Sequence, residues 1–101
     1  MTVSEFEGFF DQFVLEARRV MFLKMADYTR EERATGNFEK AAEDLGLEPL
    51  QVWGVYFHKH VQAAQAFART RDATSEPIRG RFVDLLNYAV LGAALAKEVT
   101  T

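Results

Sequence analysis

Hydrophobic residues recur along this chain at three- and four-residue intervals in four separate runs, the spacing of helices with one buried face. The first run is Phe6, Phe10, Phe13, Ala17, Val20 and Met21. Ser4 and Glu7 stand before it as an S-x-x-E capping box, and Asp11 adds a further acid near the electropositive end. Extending the stripe puts Lys24 on its centre line, Tyr28 beside it and Asp27 on the flank. A lysine on a packing seam needs a counter-charge or a way out to water. Asp27 supplies the first; a snorkelling side chain supplies the second.

Residues 29–36, TREERATG, have charge and no apolar period, so they read as a loop. Asn37 reads as the cap of a short helix, Phe38 to Leu45, with Phe38, Ala41, Ala42 and Leu45 inward and Gly46 as its stop. Pro49 then opens a third helix that runs to Arg69 or Thr70. In it Val52, Trp53, Val55, Tyr56 and Phe57 cannot share one face at 100° per residue, so this helix is expected at the centre. Its main stripe, Trp53, Phe57, His60, Ala64 and Phe67, carries an imidazole, either a satisfied core histidine or a ligand group. His58 and Lys59 point elsewhere and read as solvated.

The polar run TRDATSE ends that helix, and Ser75, with Glu76 and Pro77 behind it, reads as the start of a fourth. Its core stripe is Ile78, Phe82, Leu85, Ala89, Ala93 and Ala96. Gly80 and Gly92 lie inside it, each costing about 1 kcal/mol against alanine, which implies close helix approach or backbone room for a ligand. Arg81, Asp84, Asn87 and Tyr88 share a polar face, and Arg81 and Asp84 are spaced to pair. The expected fold is all-α: one domain, a small antiparallel bundle of three long helices and one short one.

Composition adjusts this picture in a few places. With 101 residues, 49% hydrophobic and nine Phe, the chain has more aromatic surface than so small a domain easily buries, and a homo-oligomer is expected. Net charge is −3, with twelve bases scattered among fifteen acids, so nucleic-acid binding through a basic stripe is disfavoured. The absence of cysteine removes disulfides, thiolate zinc sites and thiol nucleophiles. Acids in MTVSEFEG and the lack of a membrane-length apolar run give an expected cytoplasmic, membrane-free protein. No G-x-S-x-G, P-loop or H-E-x-x-H occurs. Only Glu16, Asp27 and Asp84 are placed to serve a divalent metal.

Polar residues thus intrude on three packing faces: Lys24, Asp27 and Tyr28; Lys59 and His60; Arg81, Asp84, Asn87 and Tyr88. They form either a network that fixes helix register or a pocket for a base, ribose or phosphate. The motifs K-x-x-D-Y at Lys24–Tyr28 and D-x-x-N-Y at Asp84–Tyr88, with Asn37-Phe38, Val52-Trp53, Tyr56-Phe57-x-Lys59-His60 and Ser75-Glu76-Pro77-Ile78 between them, resemble small bacteriophage proteins of the nucleotide modification associated domain 1 type. The resemblance covers roughly residues 16 to 95. It implies a phage-encoded helical protein of nucleotide metabolism or DNA modification, working in the bacterial host cytoplasm.

A more distant similarity is to the all-α MazG-like nucleoside triphosphate pyrophosphatases, which hold Mg2+ with E-x-x-E and E-x-x-D pairs. Here Arg19 follows Glu16 and Arg81 precedes Asp84, so two of the four acids are arginines. Nucleotide binding without hydrolysis is therefore the leading expectation, with no cofactor. Lys24, His60 and Arg81 would face phosphate; Asp27, Asp84 and Asn87 would bond base or ribose; Tyr28, Tyr88 or Trp53 would stack. A Mg2+-dependent pyrophosphatase using Glu16, Asp27 and Asp84 is one alternative. A phage inhibitor of a host or defence protein, docking through Glu31, Glu32, Glu39 and Glu43, is the other.

Overall fold

The computed structural model describes the backbone of residues 1–28, 33–72 and 77–100, and the side chains of all of these except Asp27 and Tyr28. It is all-α, as expected. The helices are α1 (Val3–Tyr28), α2 (Gly36–Leu45), α3 (Pro49–Thr70) and α4 (Ile78–Thr100). Helix α4 lies between α1 and α3, and α2 packs against α3. The centre is therefore shared by α3 and α4, and the apolar excess at the start of α3 is not all covered: Val55 is 70% exposed.

Helix starts depart from the expected caps in two places. The hydroxyl of Thr2, not Ser4, accepts the free N–H of Glu5 at 3.1 Å. At α2 the carbonyl of Thr35 accepts from Phe38 and Glu39, so Asn37 sits inside the first turn and is no cap. The Thr35 hydroxyl donates to Glu39 at 2.8 Å, and Arg33 grips the same carboxylate with two N–H groups, Nε to Oε2 at 2.8 Å. These donors hold the Glu39 carboxyl down at about 2. Glu39 is a structural tie, not a free surface acid.

The other boundaries follow local chemistry legible in the chain. Gly46, at φ 69°, closes α2 in the left-handed conformation that glycine adopts without strain. Pro49 opens α3 behind a reciprocal box in which Glu48 N–H donates to Gln51 Oε1 at 2.9 Å. The Ser75 and Glu76 start of the fourth helix lies outside the described residues. Helix α4 begins at Ile78, with the Pro77 carbonyl accepting from Gly80.

Phe38, Ala42, Val52 and Leu95 form the core between α2, α3 and α4, with Leu50, Trp53, Tyr88 and Leu91 packed round them. Phe38 meets Tyr56 and Tyr88 edge-on, at 6.2 Å between centroids in each case. Helices α3 and α4 run antiparallel, with Trp53 near the start of one lying on Gly92 near the end of the other. The indole stacks on Phe57 at 4.8 Å and donates its N–H to the Tyr88 carbonyl at 2.7 Å.

The expected α4 stripe holds only in part, and this contact accounts for the burial of Gly92. Phe82, Ala89 and Ala93 are exposed, and Val83, Gly92 and Leu95 are buried instead. The tryptophan lies over a position without a Cβ. Gly80 has no such role, since a Cβ there meets nothing within 4 Å. Gly80→Ala is therefore expected to stabilise the fold by about 0.5–1 kcal/mol through helix propensity, read as a raised denaturation midpoint.

Candidate ligand-binding site

Helix α1 crosses α4 at Ala17, which is 2% exposed. A small residue there lets the backbones approach, and Asn87 uses that closeness to donate its Nδ2 to the Ala17 carbonyl at 3.0 Å. On one side of this crossing Arg79 binds Glu16 at 2.6 Å and lies over the rings of Phe9 and Phe13. On the other, the helices diverge and the start of α2 closes the gap. The result is a cavity of about 270 Å³.

Its floor is apolar: Met21 and Met25 from α1, Phe38 from α2, Leu91 from α4. Lys24, Asn37, Asp84, Asn87 and Tyr88 add the polar groups. Lys24 Nζ stands 3.4 Å from Asp84 Oδ1, with the lysine 59% and the aspartate 24% exposed. The Asp27 side chain, the other partner expected for Lys24, lies outside the described residues. The pair is long and half in water, so it is weak in itself and open to exchange for a ligand. Since Asn87 spends its N–H on Ala17, its Oδ1 is the atom that can accept from a guest.

Burial, assisted by Asp84 and Tyr56, pushes the Tyr88 phenol up, so it stays a neutral hydrogen-bonding group. Behind it lies His60, ring against ring at 4.6 Å and tilted by 37°. His60 thus supports a wall of the cavity without lining it. Its Nδ1 is buried and has no hydrogen-bond partner among the described residues. Burial lowers its pKa below the ordinary 6.5; Arg81, Lys59 and Lys24 push the same way, and Asp84 opposes them.

A histidine with a depressed folded-state pKa binds its proton more readily when unfolded. Stability is then complete above pH 6.5 and falls as the pH drops from 6.5 through the folded-state value. The urea midpoint is expected to decline over that window, and His60→Leu to remove much of the decline. A variant with the wild-type pH profile would show that another group titrates.

Of the nine residues expected at a site, four line the cavity: Lys24, Asp84, Asn87 and Tyr88. His60 stands one layer back. Lys59 is exposed on α3, and Arg81 is half-buried on α4; neither lines the cavity. Asp27 and Tyr28 have side chains outside the described residues. Asn37 and Phe38 were missed because Asn37 read as a helix cap, and an asparagine followed by an inward phenylalanine was the signal for it. Among the described residues no group of three or more histidines or acids could hold a metal ion. Among them, too, no helix is long and apolar enough to cross a membrane. No family model matches the chain, and no curated protein or solved structure matches it either.

Proposed function

We propose that this chain binds a nucleoside- or nucleotide-like small molecule in the cavity between α1, α2 and α4, without turning it over. The observation that carries this reading is the convergence of Lys24, Asn37, Asp84, Asn87 and Tyr88, from three helices, on one cavity with an apolar floor. A flat heterocycle would lie against the edge-on pair Phe38 and Tyr88, its edge meeting Asp84, Asn37 and the Oδ1 of Asn87. Lys24, at the mouth, is available to a phosphate. A volume of about 270 Å³ suits a base and its sugar, with phosphate left outside.

A phage origin, and a ligand drawn from nucleotide metabolism or host-defence signalling, are the finer form of this proposal and come from the sequence resemblance. Action in the bacterial host cytoplasm goes with it, and the aromatic excess of so short a chain adds a homo-oligomer. A Mg2+-dependent pyrophosphatase has less support, because Glu16 is tied to Arg79 and does not line the cavity with Asp84. An inhibitor docking through its acids loses Glu39 to Arg33.

Thermal melting against mono-, di-, tri- and cyclic nucleotides, with and without Mg2+, tests the reading. A ligand at 100 times its dissociation constant adds about 2.7 kcal/mol, a shift of several degrees in a domain this size. Lys24→Ala and Asp84→Ala are expected to keep the helical spectrum and lose the shift. No shift across the panel would overturn the proposal.

A further inference from the structure

A folded monomer of 11.5 kDa exposes about 5,800 Å², whereas this chain exposes 7835 Å². Its radius of gyration is 15.4 Å, against about 13 Å for a compact chain of this length. Among the described residues no large side chain is fully buried. The chain is open, and part of the opening lies along the first half of α1. Helix α1 has one neighbour, α4, among the described helices. Its first half therefore leaves Phe6, Phe9 and Phe10 between 44% and 56% exposed.

Beside them runs an apolar groove of about 610 Å³, walled by Phe9 and Phe13 of α1, Phe57 of α3 and Ile78, Phe82 and Leu85 of α4. Phe6 and Phe10, themselves paired at 6.3 Å between centroids, form a ridge on the same half of α1. A ridge and a groove of like chemistry on one surface suit a two-fold contact, in which the same patch serves on both sides. The excess surface is about 2,000 Å² per chain, and covering about half of it on each of two chains would bury about 2,000 Å² together, the size of a stable interface.

We infer that a second copy of this chain covers the α1/α4 layer, the Phe6–Phe10 ridge of each copy seating in the partner's groove. The assignment deepens the homo-oligomer part of the proposed function and does not depend on the ligand. Light scattering at micromolar concentration is expected to give twice the 11.5 kDa chain mass. The melting temperature should rise with protein concentration, as it does where dissociation accompanies unfolding.

Phe10→Glu is expected to give a helical species of single-chain mass, because that ring is 56% exposed in the single chain. Val55→Glu, at a site 70% exposed on α3, should leave the dimer intact. A wild-type chain of single mass with a concentration-independent melt would overturn the dimer and the oligomer reading alike. A dimer that survives Phe10→Glu, or one broken by Val55→Glu, would overturn this surface and leave the oligomer reading standing. Should Phe10→Glu fail to fold, the concentration dependence of the wild-type melt and the Val55→Glu mass decide.

Discussion

Trp53→Ala is expected to lose about 3–5 kcal/mol of stability, measured by denaturant titration at fixed protein concentration. The indole contributes in three ways at once: it fills the seam against Gly92, stacks on Phe57 and donates to the Tyr88 carbonyl. Truncation leaves a large cavity between the two helices that carry most of the core. Since domains of this kind have only about 5–15 kcal/mol in hand, much of the fold's margin goes with one side chain. Trp53→Phe keeps most of the packing and loses the hydrogen bond, so a cost nearer 1–2 kcal/mol is expected. Equal costs for the two variants would mean the ring's bulk is not what holds the seam.

Gly92→Ala is expected to destabilise the wild type and stabilise the Trp53→Ala variant. A Cβ at Gly92 would overlap the six-membered ring of Trp53. Overpacking of this kind costs about 1–3 kcal/mol, against which alanine returns about 1 kcal/mol of helix propensity. Once the indole is gone the clash goes with it and only the propensity gain remains. A double-mutant cycle by urea unfolding should therefore show the effect of Gly92→Ala changing sign. Additive effects would mean that the two helices do not meet at this pair.

These two residues also mark what could be read in the chain and what could not. Periodicity and end signals placed all four helices, and Gly46 and Pro49 gave two boundaries correctly because each acts through its own backbone. Gly92 was suspected as a point of close approach, but its partner was hidden, since sequence spacing says nothing about which helix supplies the ring. The same gap hid a partner of Lys24. Its partner Asp84 lies 60 residues away, set by the crossing at Ala17, and the nearer acid was the only one that local spacing could offer.

The site was half legible. Lys24, Asp84, Asn87 and Tyr88 stood out because polar groups broke apolar stripes, and the cavity gathers those four. Asn37 was lost to a more familiar role as a cap. The buried side of late α4 was misassigned because Ala89 and Ala93 looked apolar while a glycine does not register on a hydrophobic stripe. Phe6 and Phe10 were read as core, and in the single chain they are more than half exposed.

The most direct test of the ligand-binding account is an amide-resolved NMR titration of the protein with whichever nucleotide gives the largest thermal shift. The account predicts saturable changes centred on Lys24, Asn37, Asp84, Asn87 and Tyr88, with residues on the exposed face of α3, such as Val55, unmoved. Changes centred away from that cavity, or none at any nucleotide tested, would contradict it.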